Sequence, residues 1–285
     1  MMALIRFSHE TSMAYTTGKL AVITGAGSGI GRALAQQLNL DGCTLLLSDI
    51  DAAGLNETQS SLTRQDVPAK TEVVDVADKA AVHKWAEDIE AEFGHIDILI
   101  NNAGVAMTAT VEESQYEDIE WLMDINFWGV VYGTKAFLPL LRNSQHGHLV
   151  NISSVFGIVG IPTQSAYNAA KFAVRGYTEA LRHELNGSNV HICCVHPGGI
   201  KTNIARNSRS LPGADREAGN ARFDQMARTT AESAARQIIT GIEKRKVRLL
   251  IGADAKFLSF VSRLFPAHYA RLIPGIDKAQ ENPPT

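Results

Sequence analysis

The chain has 285 residues, 45% of them hydrophobic, and 27 Lys and Arg against 30 Asp and Glu give a formal charge of −3. That length supports a full core in one large α/β domain or two smaller ones, and near-neutral charge removes the general electrostatic basis for nucleic-acid binding. Three cysteines, Cys43, Cys193 and Cys194, cannot all pair and lack zinc-site spacing, so the expectation is buried reduced thiols, no bound metal and a cytoplasmic setting.

The start, MMALIRFSHETSM, turns polar too early for a secretory signal, and no apolar run has the ~18 residues of a membrane span. Residues 1–17 show no clear period and read as a loose extension. The first strand, LAVIT at 20–24, runs into Thr24-Gly25-Ala26-Gly27-Ser28-Gly29-Ile30-Gly31-Arg32, which opens a helix carrying Ala33, Leu34, Ala35 and Leu38. Glycines serve a sharp strand-to-helix turn whose backbone approaches a pyrophosphate, and the free N–H groups at the positive helix end hold the phosphate. Their place in the first βα turn makes Gly25, Gly27, Ser28, Gly29, Ile30 and Gly31 candidate dinucleotide contacts.

The second strand, TLLLSD at 44–49, ends on Asp49, 18 residues after Gly31. A carboxylate there accepts hydrogen bonds from the adenosine ribose and repels a 2′-phosphate, which favours NAD over NADP. Two competing assignments are that Asp49 caps a helix beginning near Asp51, and that Arg32 receives a 2′-phosphate. The third strand, TEVVDV at 71–76, ends in Asp75 and Val76; the fourth, IDILIN at 96–101, leads into Asn102, Ala103 and Gly104. Both ends face the crevice beyond the carboxyl edge of the sheet, and the asparagines also suit loop bonding to backbone.

A fifth strand, GHLVNIS at 147–153, precedes an apolar stretch with Val155, Phe156, Ile158, Val159 and Ile161. The next helix opens with Tyr167 and Lys171, four apart and therefore on one face. A phenol with its ordinary pKa near 10 is a poor base at neutral pH, and a nearby ammonium favours its ionised form. The sixth and seventh strands are VHICCV at 190–195 and VRLLIG at 247–252. Seven runs without polar alternation, separated by helical segments, predict a doubly wound parallel sheet in a single domain. The expected plan is an extension at 1–17, a Rossmann-like domain at 18–252 and an amphipathic extension at 253–285.

Ordered along the chain stand TGAGSGIG at 24–31, DV at 75–76, NNAG at 101–104, Asn126 within IEWLMDINFWGV, the serines of NISSVFG, YNAAK at 167–171 and HPGG at 196–199. In these motifs the chain resembles the classical short-chain dehydrogenase/reductase family. The resemblance implies nicotinamide chemistry between alcohol and carbonyl, and a homodimer or homotetramer. Tyr167 would exchange a proton with the substrate oxygen, and Ser154 would hydrogen-bond that oxygen, with Ser153 as its positioning neighbour. Lys171 would bind the nicotinamide ribose and lower the tyrosine pKa, and Asn126 would complete a proton relay through water. The resemblance also places Pro197, Gly198, Ile200 and Thr202 along the nicotinamide and residues from about 200 to 228 over the substrate. His196 has no second ligand at metal spacing and reads as structural.

Burial of an apolar substrate on the segment after Ser154, with Phe156 at its start, is favourable at about 25 cal/mol per Å². Lipophilic secondary alcohols or ketones are therefore the expected substrates; an acidic substrate on the Arg-rich covering loop is the alternative. An NADP-linked carbonyl reductase and a non-catalytic dinucleotide sensor are the rival functions. At the far end, Phe257, Val261, Leu264 and Phe265 recur at helical spacing beside Lys256, Arg263 and Arg271. That stripe suits packing on the parent domain, a second subunit or a membrane surface.

Overall fold

Leucine-rich and β-branched runs become strands here because helices cover both faces of the sheet they build. The computed structural model describes residues 15–204, 208–210 and 227–272. Its sheet strands are β1 (Leu20–Thr24), β2 (Thr44–Asp49), β3 (Ala69–Val73), β4 (Ile98–Asn101), β5 (Gly147–Ile152), β6 (Val190–Pro197) and β7 (Arg248–Ile251). The helices are α1 (Gly29–Leu40), α2 (Ala52–Ser60), α3 (Lys79–Phe93), α4 (Tyr116–Met123), α5 (Gly129–Arg142), α6 (Ser165–Glu184), α7 (Ala231–Glu243) and α8 (Ala253–Leu264).

All seven strands are parallel, in the order β7-β6-β5-β4-β1-β2-β3. Successive residues of β1 serve opposite layers: Ala21 and Ile23 pack with Leu34 and Leu38 of α1 and Ile238 of α7. Leu20 and Val22 pack with Trp85 of α3, Phe137 of α5 and Leu181 of α6. The strand order reverses between β1 and β4, so the crevice opens at their carboxyl ends. The fold is the Rossmann-like single domain that the strand pattern predicts.

Two elements differ from expectation. β3 occupies 69–73 rather than 71–76, because it is an edge strand paired only with β2 and loses its partner where β2 ends, at Asp49↔Val73. Asp75 and Val76 therefore lie in the loop beyond it. The segment around Asn126 is not one continuous α-helix: Asp124–Trp128 forms a π turn between α4 and α5, a local widening that re-aims a side chain.

Of residues 15–17, the last of the segment read as a loose extension, Tyr15 and Thr16 are packed against the domain. Thr16 is buried, and the Tyr15 hydroxyl lies 2.8 Å from Nε2 of buried His148. The rest of that segment, much of the covering loop and residues 273–285 lie outside the described residues. The three cysteines are free and buried, and burial pushes the thiols of Cys193 and Cys194 up to about 12. Among the described residues no helix is long and apolar enough to cross a membrane.

Candidate active site

The carboxyl end of β1 turns into α1 through two left-handed glycines, Gly25 (φ +66°) and Gly29 (φ +52°), a region that glycine enters without penalty. A Cβ on Gly25 would stand 2.7 Å from Ala103 Cα, and one on Gly31 2.0 Å from the Gly25 carbonyl oxygen. Asn102 binds this turn, its amide donating to the carbonyls of Thr24 (2.9 Å) and Gly25 (3.0 Å). The Thr24 hydroxyl accepts in return from the backbone of Asn102 and Ala103 at 3.0 and 3.1 Å. Loop bonding by Asn102 is thus what this structure shows directly, and it locks the β4 end against the glycine turn, while Asn101 donates to Asn151 and Thr134.

Ser28 holds the N-cap position of α1, but its hydroxyl makes no capping bond, whereas Asp51 and Asp78 cap α2 and α3 with their carboxylates. The first turn of α1 therefore keeps its N–H groups for an external acceptor. This arrangement fits a pyrophosphate.

At the end of β2, Asp49 accepts from Gly27 N (2.8 Å) through one carboxylate oxygen and from Asp51 N (3.0 Å) through the other. Capping of α2 falls to Asp51, which accepts from Ala53 N at 3.0 Å. Arg32 is held away from a receptor role: its guanidinium donates to the Gly27 carbonyl, to Glu57 at 2.8 Å and to the Thr58 hydroxyl at 3.0 Å.

Tyr167 and Lys171 stand on the first turns of α6. The Lys171 ammonium is buried, donates to the Ile152 carbonyl (3.2 Å) and lies 5.7 Å from the centre of the Tyr167 ring. Burial pulls its pKa down to about 8. Burial also raises the Tyr167 phenol, while a hydrogen bond with Ser154 acts in the lowering direction. Phe156 meets the Tyr167 ring edge-on at 6.1 Å.

The adjacent serines are separated by their partners. Ser153 donates to the Lys171 carbonyl at 2.8 Å and so anchors α6. Ser154 accepts from Phe156 N at 3.1 Å and stands beside Tyr167. Asn126, at the centre of the π turn, is bonded to Val105 through both ends of its amide, at 2.8 and 2.9 Å. A Cβ on Gly104 would meet Asn126 Oδ1 at 2.9 Å and Lys171 Nζ at 3.3 Å, so that glycine keeps a side chain from wedging between them.

Beyond β6, Gly198 is required by a residue 56 positions later, since a Cβ there would stand 2.2 Å from Asp254 Oδ2. The same oxygen accepts from Gly199 N at 2.7 Å. Pro197 ends β6, Ile200 is buried in the core on the α1 and α7 side, and Thr202 lies over Gly29, 3.1 Å from where a Cβ would be. Asp75 is exposed and accepts from Ala77 N at 2.9 Å, and Val76 packs where a Cβ on Gly129 would stand, 2.9 Å away.

Three positioning residues were missed in the sequence. Asp254 has no spacing rule that links it to Gly199. Asn168 donates to the carbonyls of Phe156 (2.6 Å) and Val159 (2.8 Å) and accepts from Ile161 N (3.0 Å), clamping the apolar segment onto α6; its place inside YNAAK is the signal that could have found it. Thr24, directly before Gly25, is the third.

His196 is fully buried, with Nδ1 3.1 Å from the Ser154 carbonyl, and among the described residues no group of His, Cys, Asp or Glu could hold a metal. Burial holds its pKa down to about 4 and that of His148 to about 3. The unfolded chain takes up these protons near pH 6.5, the folded chain only at lower pH. The stability from neutral burial is therefore complete above about pH 6.5 and lost as pH falls toward 4 and then 3. Thermal melts are expected to show a loss of about 4 kcal/mol between about pH 7.5 and pH 5 for the two groups together. A flat melting temperature over that window would refute the assignment.

A doubly wound parallel sheet with a glycine turn at its switch point, and an uncapped helix facing it, defines the Rossmann-like class of nucleotide-binding proteins. The family model for short chain dehydrogenase matches residues 19–212. The chain is 47% identical over 259 residues to SadH of Mycobacterium tuberculosis, which carries an oxidoreductase name, covering 90% of this chain and 94% of that one. It is 36% identical over 201 residues to a 3-ketodihydrosphingosine reductase of Bacteroides thetaiotaomicron, covering 70% and 71%. A short chain dehydrogenase/reductase from Burkholderia phymatum, crystallised in complex with NAD, superposes with a TM-score of 0.81 at 29% identity, covering 88% of this chain and 95% of that one. The chain belongs to the short-chain dehydrogenase family and is an oxidoreductase of that family.

Proposed function

We propose that the protein is an NAD-dependent dehydrogenase that interconverts a lipophilic secondary alcohol and its ketone. The observation that carries this reading is the convergence of Ser154, Tyr167 and Lys171 beside an apolar segment, in a fold whose α1 begins uncapped. Gly25, Gly27, Ser28, Gly29, Ile30 and Gly31 would hold the pyrophosphate, Asp49 the adenosine ribose, and Asp75, Val76, Asn102, Ala103 and Gly104 the floor beneath. Pro197, Gly198, Ile200 and Thr202 would border the nicotinamide end. When bound, the nicotinamide supplies hydride exchange with the substrate carbon.

The rest of the reaction belongs to this chain. Ser154 donates to the substrate oxygen and fixes its position against the Tyr167 hydroxyl. In oxidation, Tyr167 takes the hydroxyl proton from the alcohol; in reduction it returns that proton to the carbonyl oxygen. Lys171, protonated below about pH 8, holds ribose hydroxyls and favours the phenolate by its charge, against the burial that disfavours it. Asn126, across Gly104 from Lys171, carries the relay toward solvent.

NAD is favoured over NADP because Asp49 presents a carboxylate at the end of β2 and because Arg32 is spent on Gly27, Glu57 and Thr58. The lipophilic substrate class is supported by Val155, Phe156, Ile158, Val159 and Ile161, which form an apolar cluster next to Tyr167. The Bacteroides relative is named for reduction of a ketone, 3-ketodihydrosphingosine. A homo-oligomer is supported by exposed Trp128, at the end of the π turn, whose ring stacks at 5.8 Å on that of Tyr132 in α5.

A panel of lipophilic and polar alcohols and ketones, followed by cofactor absorbance with each nicotinamide, tests the reading. Turnover of lipophilic members is expected to run at least about tenfold faster with NAD, one carboxylate contact being worth ~1.4 kcal/mol or more. Asp49→Ser is expected to shrink that ratio. Faster turnover with NADP in the unaltered protein would overturn the Asp49 argument, and tight dinucleotide binding without turnover on any substrate would favour a sensor.

A further inference from the structure

The C-terminal helix α8 has two faces with different fates. Inward, Ala255 and Val261 are buried and Leu258 packs with Val155, Val159, Phe156 and Ile161, the apolar segment beside Tyr167. Just beyond it, the Tyr269 hydroxyl accepts from Gly160 N at 2.9 Å and ties the C-terminal segment to the same wall. Outward, Phe257, Phe260 and Leu264 are 52%, 63% and 55% exposed. Their spacing of three and four puts them in one row along the helix.

That row has a cationic border. Lys256 and Arg263, seven residues apart, run parallel to it on one flank of the same helix. Phe265 and Leu272 prolong the exposed apolar surface, and Arg271 stands next to Leu272. From residue 255 to 276 the sequence contains Lys256, Arg263 and Arg271 and no Asp or Glu. Asp254, at the start of the helix, is turned to the backbone of Gly199. A row of large apolar side chains bordered by cations, on a segment that itself carries no acid from 255 to 276, matches an anionic lipid surface: acyl chains take the Phe and Leu groups and headgroup phosphates take the cations.

We propose that the outer face of α8 docks the protein on anionic phospholipid bilayers, lying in the plane of the headgroups. The inner face of the same helix braces the wall beside Tyr167, so docking would bring that side of the domain to the lipid surface. This docking rests on the surface chemistry of α8 and the residues just after it, whichever substrate or cofactor the protein uses.

Co-sedimentation of the full chain with vesicles of phosphatidylcholine, with and without phosphatidylglycerol, tests it. Binding is expected to the phosphatidylglycerol vesicles, much weaker to pure phosphatidylcholine, and reduced by salt. Each cation at an anionic surface is worth about fivefold in partitioning, so Lys256→Glu with Arg263→Glu should lower binding about 25-fold or more. The triple change Phe257→Ser, Phe260→Ser and Leu264→Ser should lower it at least about tenfold, with a thermal melt confirming that the folded domain persists. Absence of sedimentation with phosphatidylglycerol vesicles would overturn the proposal, as would binding that both variants retain. So would a stable dimer, indifferent to vesicles, that the triple change converts to monomer, because a second copy would then cover this face.

Discussion

Tyr167→Phe is expected to lower kcat by about 10²- to 10⁴-fold, the usual worth of a positioned acid–base group, while dinucleotide affinity stays within about twofold of the parent. The substitution removes one oxygen and keeps the ring that meets Phe156 edge-on, so packing survives. The glycine turn, Asp49 and Lys171 are untouched, and only the proton relay between Ser154, Tyr167 and the substrate oxygen is broken. Steady-state kinetics on a lipophilic alcohol give kcat, and quenching of the three tryptophans on titration with NAD gives the affinity. Full activity in the variant would remove Tyr167 from the mechanism; lost dinucleotide binding would show that its role is architectural.

Gly31→Ala should be the most damaging single methyl group added to the crevice. Its Cβ would lie 2.0 Å from the Gly25 carbonyl oxygen and 2.7 Å from Asn102 Nδ2. Neither neighbour yields cheaply, because the Asn102 amide is itself bonded to the carbonyls of Thr24 and Gly25. Overpacking against backbone should cost about 3 kcal/mol or more, read as a melting temperature lower by roughly 6 to 12 °C, and opening of the turn should weaken dinucleotide binding at least about tenfold. Gly176→Ala in α6 is the matched control. Nothing lies within 4 Å of its Cβ position, so replacing a mid-helix glycine there should stabilise by about 0.5 to 1 kcal/mol. Equal melting temperatures for the two variants would show that the glycine turn is not tightly packed.

Much of this architecture is readable along the chain. LAVIT and TLLLSD announce strands because residues of both parities must meet apolar helices, and the glycine cluster announces its turn because few other sequences can make it. Tyr167 and Lys171 share a face by helical spacing alone. Other features depend on partners far away. The limits of β3 are set by the end of β2 rather than by its own valines, and the π turn at Asn126 leaves no mark in a sequence that continues to look helical. Spacing alone does not separate Ser153 from Ser154, which only the family resemblance tells apart; in the structure the Lys171 carbonyl, 18 residues later, engages the first, and the second stands beside Tyr167.

What the sequence determined by itself was therefore the set of elements, their parallel arrangement and the family motifs, because periodicity and glycine placement are local consequences of backbone geometry. Tertiary structure decided how those motifs are used. Asp254 reaches back to the Gly198-Gly199 turn, Asn168 grips the apolar segment, Thr202 closes over Gly29, and α8 divides its apolar residues between that segment and solvent. Each depends on a contact between residues distant in the chain, and sequence spacing alone leaves such pairings open until the sheet brings their elements together.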